Sequence, residues 1–335
     1  MKKAIVTGGA GFIGSHMVDL LLKKGFSVTM LDNFSGGHKK NIKQHQKNRK
    51  FKIIKIDIRK LKPNASFFKS VDYVFHFAGI GDIVPSIDKP AEYMDVNVQG
   101  TIKVLEASRI NNVKKFVYAA SASCYGLNES RITEKDPIKL EHPYALSKYL
   151  GERSVLHWHK VYKLPINVIR IFNAYGPRVR TTGAYGAVFG VFFKQYLSNK
   201  PLTIVGDGNQ SRDFVFVSDV VNAFYRAATT KFVGEIFNVG TGNPTSIKQL
   251  ANLIGGKTIS LPDRPGEPRK SEANINKIIS KLNWKPKISF NQGVKIMLKN
   301  IQDWNNAPLW TEKKIINATK KWFKTLQKNE TKKNS

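Results

Sequence analysis

The chain reads as an α/β protein built on a parallel sheet. Two observations predict this. Short apolar runs bounded by glycines or polar residues alternate with longer stretches of helical period, the pattern of strands joined by crossover helices. One run, residues 72–78 (DYVFHFA), is apolar at nearly every position, as a strand covered on both faces must be. The size agrees: 335 residues at roughly 150 per domain suggest two domains, and 41% hydrophobic and 11% aromatic residues suffice for a sizeable core.

The elements follow in order. Residues 3–7 (KAIVT) form an apolar run that ends in glycines. Residues 14–24 carry Met17, Val18, Leu20, Leu21 and Leu22 as a helical stripe, closed by Gly25. Residues 27–31 read as a strand ending at Asp32, and residues 52–58 as another that alternates up to Asp57. Residues 94–110 are helical, 115–120 (KFVYAA) extended, 144–162 helical and 167–172 (NVIRIF) extended. After Gly176 the pattern changes: TTGAYG, GDGNQ, GTGNP and LPDRPGEP separate short elements, with helical stripes at 187–197, 219–228, 247–253 and 290–304. The chain thus divides into residues 1–176, completed by parts of 211–245, and a smaller interleaved lobe, 177–320, that holds substrate. Residues 313–328 put Ile315, Ile316, Trp322, Phe323 and Leu326 on one helical face opposite lysines. Packing of that face on the body is expected; the competing reading is a weak peripheral membrane contact through the basic C-terminus. From Asn329 to Ser335 a disordered tail is expected.

Composition excludes several classes. A single cysteine, Cys124, rules out an intramolecular disulfide and any cysteine-based zinc site, and no metal site is expected. No stretch of about 18 apolar residues exists, so no membrane-spanning helix is expected, and the apolar run at the N-terminus is too short for a signal peptide. The expected location is the cytoplasm. Lys plus Arg is 55 against 24 for Asp plus Glu, a net charge of +31. A polyanion partner is one reading, but no nucleic-acid-binding signature accompanies the lysines, which are spread along the chain. A basic enzyme surface that attracts phosphate-bearing small molecules is the reading adopted, with no nucleic-acid partner.

Three motifs carry chemistry. Thr7-Gly8-Gly9-Ala10-Gly11-Phe12-Ile13-Gly14 spaces Gly8, Gly11 and Gly14 between a strand and a helix. Glycine permits the tight turn, the approach of backbone to a pyrophosphate and close helix–strand packing, while the helix N-terminus faces the phosphates. Asp32, 18 residues after Gly14, would bond an adenosine ribose diol, which favours NAD over NADP. Asp57 is a candidate for the adenine amine, an ordinary strand-end carboxylate being the alternative. Together these specify a Rossmann-type doubly wound parallel sheet with the smaller C-terminal substrate-binding lobe. Second, Tyr144 and Lys148 stand at i and i+4, about 5–6 Å apart at Cβ on one helix face. A tyrosine serving as a base near pH 7 needs a shift of ~3 units, about 4 kcal/mol; Lys148 and a positive nicotinamide ring are the expected sources. Third, the strand 115–120 ends in Ser121-Ala122-Ser123-Cys124-Tyr125-Gly126, where strand ends face a ligand and a hydroxyl can bond the reacting oxygen.

With these motifs in place the chain resembles an extended short-chain dehydrogenase/reductase, specifically the nucleotide-sugar epimerase/dehydratase family. Further matches are HFAG at 76–79, DVNVQGT, RIFNAYGP at 170–177, SRDFVFVSDV at 211–220, FNVGTG at 237–242 and RPGEP at 264–268. The resemblance implies NAD as cofactor, a UDP-sugar as substrate and a homodimer. Ser121, Tyr144 and Lys148 take the catalytic places. The implied cofactor set is Gly8, Gly11, Phe12, Ile13, Gly14, Asp32, Asn33, Asp57, Ile58, Phe77, Ala78, Gly79 and Asn97, with Tyr144 and Lys148. On the substrate side Ser121 and Ser123 face the sugar and Asn173 the phosphate or sugar. Arg212 and Arg264 clamp the diphosphate, Glu267 bonds the nucleotide ribose, and backbone groups at Ala187 and Val188 read the uracil. Ser271, seven residues after Arg264, borders the sugar's C2 substituent, and its small size leaves room for an N-acetyl group.

Family dehydratases carry an Asp-Glu pair at the positions of Ala122 and Ser123, and decarboxylases a Glu at Ser123; this chain has neither. The reading is therefore 4-epimerisation of a UDP-sugar through a 4-keto intermediate, UDP-GlcNAc/UDP-GalNAc with UDP-Glc/UDP-Gal alongside. A related NDP-sugar oxidoreductase or epimerase, such as a UDP-glucuronate epimerase, is the alternative, and a non-catalytic dinucleotide-binding regulator the distant one. The helix 144–162 is apolar nearly all round and is expected to meet a second subunit together with 94–110. His76 is read as a core histidine, and Cys124 as unreactive.

Overall fold

A computed structural model describes residues 1–179, 188–262 and 268–331. The first half of the chain runs β1 (Lys3–Thr7), α1 (Phe12–Lys23), β2 (Ser27–Asp32), β3 (Phe51–Lys55), β4 (Tyr73–His76), α2 (Val84–Asp88), α3 (Pro90–Met94), a π-helical turn at Asp95–Gln99, α4 (Gly100–Ile110), β5 (Lys115–Ser121), β6 (Arg131–Ile132), α5 (Pro143–Tyr162) and β7 (Ile166–Ile171). The second half runs β8 (Asn173–Tyr175), α6 (Val188–Leu197), β9 (Leu202–Val205), β10 (Ser211–Arg212), β11 (Phe214–Phe216), α7 (Val217–Thr229), β12 (Glu235–Val239), β13 (Thr245–Ser246), α8 (Ile247–Ile254), β14 (Thr258–Leu261), β15 (Lys270–Ala273), α9 (Asn276–Leu282), α10 (Phe290–Lys299) and α11 (Glu312–Thr331).

Among the described residues seven strands form one sheet in the order β12-β7-β5-β4-β1-β2-β3, every neighbouring pair parallel. This is the Rossmann-like α/β architecture that the alternating pattern predicts. The strand order reverses between β1 and β4, so the connections leaving them diverge and open a crevice at the C-terminal strand ends. Each face has its own core. Met17, Val18 and Leu21 of α1 pack with Val220 and Phe224 of α7; Val104 and Leu105 of α4 pack with Val155 of α5 on the other face. A third cluster unites Phe189, Phe192 and Phe193 of α6 with Met297 and Trp304.

Local chemistry sets the helix ends nearest the crevice. α1 starts at Gly11, which has extended backbone and no side-chain cap. α5 has Pro143 at its first position, where a missing N–H costs nothing, and His142 before it caps the helix by accepting from the Ala145 amide through Nδ1 at 3.1 Å. Two helices expected as unbroken are divided. The stretch 94–110 begins earlier, at Pro90, and passes through the π turn. The stretch 290–304 stops at Lys299 and continues as a 3-10 turn over Ile301–Trp304. The strand expected over 52–58 ends at Lys55. α11 runs to Thr331, and residues 332–335 of the expected tail lie outside the described residues.

α5 is fixed to the sheet by a buried ion pair. Arg170 of β7 donates Nε to Glu152 Oε2 at 2.9 Å and Nη2 to Oε1 at 2.6 Å. Their side chains are 4% and 1% exposed. Arg170 Nη1 also donates to the Tyr125 hydroxyl at 2.7 Å, and Tyr125 donates to Asn238 Oδ1 at 2.8 Å. Burial pulls the guanidinium down, but Glu152 outweighs it and holds Arg170 above its ordinary value. Removing one partner of such a pair strands a buried charge, at about 3–5 kcal/mol. Glu152→Ala should therefore lose about that much stability in urea denaturation; a loss below about 1 kcal/mol would show that the pair does not hold α5 in place.

Candidate active site

The glycine loop forms a cradle. Gly8 lies at φ +66°, and a Cβ there would stand 2.7 Å from the Ala78 nitrogen and 2.9 Å from its Cα. A Cβ on Gly14 would come within 2.1 Å of the Gly8 carbonyl oxygen. Any side chain at either place would push α1 away from the β1 and β4 strand ends. With Gly11 as its N-cap, α1 presents the first-turn amides of Phe12, Ile13 and Gly14 without a capping side chain, a disposition that suits a phosphate. Asp32 ends β2, 7% exposed, and its carboxylate accepts from the Ala10 amide at 2.9 Å and the Phe34 amide at 2.7 Å. Burial raises its pKa against the pull of those amides. The crevice, the side-chain-free loop and the strand-end acid fit a dinucleotide.

At the far end of the cradle Asn33 donates to Asp57 Oδ2 at 3.2 Å, and Ile58 is buried behind them. The Asp57 carboxylate is already engaged by Arg59, through Nε at 3.0 Å and Nη2 at 2.7 Å. That pairing pulls Asp57 down to about 2. Phe77 packs its ring on Phe224 at 4.5 Å, so its backbone, with Ala78 and exposed Gly79, borders the cradle.

A hydrogen-bonded chain runs beneath it. The Ala78 amide donates to Thr7 Oγ1 at 3.2 Å, and Thr7 Oγ1 meets His76 Nδ1 at 2.6 Å. His76 Nε2 meets Thr101 Oγ1 at 3.0 Å, and Thr101 donates to the Asn97 carbonyl at 2.6 Å. Because Thr101 spends its proton on Asn97, His76 is the Nε2–H tautomer and accepts from Thr7. Burial, reinforced by Lys148, pushes His76 down to about 3; it is a satisfied, neutral core histidine. Asn97, in the π turn, accepts from the Ile80 amide at 2.8 Å and donates to the Ile80 carbonyl and to Ser147 Oγ. π turns recur at functional sites.

β5 delivers Ser121 to the crevice. Its hydroxyl donates to Ser123 Oγ at 3.0 Å and accepts from the Ser123 amide. Burial raises the Tyr144 phenol, while the adjoining Ser121 hydroxyl pulls it down and the charge of Asp82 pushes it up. Among the chain's own groups burial prevails and leaves Tyr144 above its ordinary value. Lys148, 8% exposed, sits 4.6 Å from the Tyr118 ring centroid. Burial lowers it to about 8 against the attraction of Glu152. Three residues around Tyr144 had escaped notice. His142 stacks on its ring at 5.9 Å and 9°, and burial lowers His142 to about 4. Tyr93 meets Tyr144 edge-on at 6.4 Å and 82°, and donates to the Asp82 carbonyl at 2.5 Å. His142 was marked only by standing before Pro143 at a helix start; nothing local marks Tyr93 or Asp82. Cys124 is buried and pushed up to about 12 by burial, as an unreactive thiol should be.

On the other rim, Asn173 opens β8 with an exposed side chain, its amide bonded to the Asp213 carbonyl at 3.0 Å. Arg212 lies opposite Ser271 in the β10–β15 ladder, and its Nη1 donates to the Pro268 carbonyl at 2.7 Å. Between them Asp213, fully buried, accepts from the amides of Thr241, Gly242 and Ala273 and from the Thr241 hydroxyl. Val188 begins α6. Ala187, Arg264 and Glu267 lie outside the described residues. Among the described residues no group of three or more His, Cys, Asp or Glu could hold a metal ion, and no helix is long and apolar enough to cross a membrane.

Comparison with known proteins places this geometry. The model of the NAD-dependent epimerase/dehydratase family matches residues 4–240. A putative UDP-glucose 4-epimerase of Methanocaldococcus jannaschii is 38% identical over 300 residues, covering 87% of this chain and 95% of that protein. The UDP-glucuronic acid 4-epimerase of Bacillus cereus, solved with UDP-glucuronic acid and NAD, superposes with a TM-score of 0.84 at 31% identity, over 90% of this chain and 99% of that one. The UDP-N-acetylglucosamine 4-epimerase of Methanobrevibacter ruminantium, solved with UDP-N-acetylmuramic acid, gives 0.83 at 30% identity, over 89% and 99%. Each of the two superpositions leaves about a tenth of this chain uncovered.

The Lys148 environment has a pH consequence. Its folded pKa, about 8, lies below the ~10.4 of an unfolded lysine. Between those values the unfolded chain binds the proton and the folded chain does not, so stability rises with pH across the window. Urea denaturation of the cofactor-stripped protein should show that rise, and Lys148→Met should remove it; equal slopes in both proteins would contradict the buried-ammonium account.

Proposed function

The chain belongs to the NAD-dependent epimerase/dehydratase family, and from that premise we propose that it interconverts UDP-sugars at C4, with UDP-GlcNAc and UDP-GalNAc as the favoured pair. The observation that carries this reading is the placement of Tyr144 beside Ser121 at the strand ends above the glycine cradle, with Ala122 and Ser123 where elimination or decarboxylation would need carboxylates.

NAD is the cofactor of the family, and the chemistry it supplies when bound is reversible acceptance of hydride from a sugar carbon. Gly8, Gly11 and Gly14 would receive its phosphates, with the amides of Phe12 and Ile13, and Asp32 its adenosine ribose. Lys148 would hold the nicotinamide ribose and Asn97 would fix the 80–83 loop beside it. In its phenolate form Tyr144 would take the O4 proton, and the Ser121 hydroxyl would bond the same oxygen. A 4-keto sugar that turns in the pocket then regains hydrogen on its other face, and Tyr144 returns the proton. The nucleotide would lie along Arg212 and Arg264, with Asn173 and Glu267 at its phosphate and ribose. Ser271 faces Arg212 across a ladder, which supports its place next to the sugar; its small side chain leaves room for an acetamide, whereas a tyrosine would overlap one and cannot be relaxed cheaply in a packed wall.

The exposed surface supports a subunit contact. Ile110 of α4 is 46% exposed, and Leu150, Val161 and Tyr162 of α5 are 38%, 48% and 48% exposed. Apolar residues of two packed helices left in water are an interface in waiting, and we read them as half of a four-helix homodimer contact. Light scattering should give about twice the 37.7 kDa chain mass at micromolar concentration; the chain mass itself would contradict the dimer.

A panel of UDP-sugars incubated without added NAD tests the reaction. Wild type should interconvert UDP-GlcNAc and UDP-GalNAc with UDP-Glc/UDP-Gal alongside. Conversion of UDP-glucuronate alone would favour the uronate epimerase reading instead. Tyr144→Phe should lose roughly 10²–10⁴-fold in turnover, the range of a general acid–base group, while keeping its NAD; activity within threefold would remove Tyr144 from the mechanism. Ser271→Tyr should abolish N-acetyl-sugar turnover and spare UDP-Glc; equal loss on both would move Ser271 away from C2.

A further inference from the structure

The family match spans residues 4–240, and α11 lies beyond it. This helix is docked against α2. Ile315 is 2% exposed while Ile316, one position around the helix, is 47% exposed, and Lys313, Lys314, Lys320 and Lys324 stand in solvent.

What lies under α11 matters for the reaction. α2 has five residues, too few to persist as a helix without packing partners. It follows the 80–83 loop, which is clamped at Ile80 by Asn97 and at the Asp82 carbonyl by Tyr93. The same loop borders the tyrosine: Tyr93, which holds the Asp82 carbonyl, packs edge-on against the Tyr144 ring. α2 contacts α3 and α5, and α11 packs against it as well.

We propose that α11 is a strap that holds α2 and the 80–83 loop in place at the sugar end of the site, and that Ile315 is the positioning residue that pins it. The functional half of this inference rests on the reading of Tyr144 as the base that faces a UDP-sugar. Ile315 touches neither substrate nor cofactor in this account. Its loss should therefore move KM for the UDP-sugar rather than the turnover of bound sugar.

The experiment compares full-length wild type, Ile315→Asp and Ile315→Leu by hydrogen exchange and by kinetics. A buried carboxylate at position 315 is incompatible with docking. In Ile315→Asp the amides of Ser86, Ile87 and Asp88 in α2 should exchange at least about tenfold faster, with those of β1, β4 and β5 unchanged. KM for the UDP-sugar should rise about fivefold or more, with kcat and NAD content within about twofold. Ile315→Leu should restore both. Unchanged exchange in α2 overturns the strap, and faster exchange with unchanged KM overturns its positioning role. If the wild type converts no UDP-sugar, the functional reading has failed instead, and the exchange of α2 alone decides the strap.

Discussion

The arrangement depends on the ion pair between Arg170 and Glu152. Glu152 lies one helical turn beyond Lys148 and two beyond Tyr144, so a pair fixed to β7 sets the axial position of both functional side chains at once. Taking both charges out of water is costly, and pairs of this kind do not in general beat an apolar contact of the same size. What this pair supplies is registry. Apolar packing between α5 and the sheet would tolerate a slide or a small rotation, whereas two bonds of 2.6 and 2.9 Å to one guanidinium would not. Through Tyr125 and Asn238 the same guanidinium reaches β12. A strand contributed late in the chain is thereby tied to the helix that carries the tyrosine.

Much of this was legible in the sequence, for reasons that differ by feature. Strand and helix alternation shows because burial on two faces writes long apolar runs such as residues 72–78. The cradle shows because the glycines stand at fixed spacing between a strand and a helix, and a side chain at Gly14 is excluded by the neighbouring Gly8 carbonyl. Tyr144 and Lys148 show because helical spacing puts them on one face. Other features depend on distant partners and leave no local mark. Asp213 sits in SRDFVF, yet its donors come from Thr241, Gly242 and Ala273, 28 to 60 residues away. The π turn at Asn97 is a choice of backbone that residue types do not announce. The division of the last helices at Lys299 follows from Asn300 leaving helical geometry with φ −111° and ψ 21°.

The electrostatic surroundings of Tyr144 were the least legible part. Spacing puts Lys148 one helical turn from Tyr144 on α5, but spacing does not count the cost of burial. His76 and His142 are both pushed far below neutrality, and Lys148 is lowered toward 8. At neutral pH Lys148 is thus a cation whose neighbouring histidines are uncharged, with Glu152 as its nearby anion. A pocket this dry strengthens each charge brought into it, because little water remains to screen it.

The chain of bonds through Thr7, His76 and Thr101 has a consequence for how such sequences drift. Each member has a fixed polarity: Thr7 must accept from Ala78 and give to His76, and Thr101 must accept from His76 and give to Asn97. Valine in place of either threonine keeps the shape and breaks the order, leaving a buried imidazole nitrogen with nothing to bond. The three sites are therefore not free to vary one at a time. Descendants of this chain that abandon the histidine should replace its hydroxyl partners in the same lineage, so that positions 7, 76 and 101, carried on two strands and a helix, are inherited as one unit.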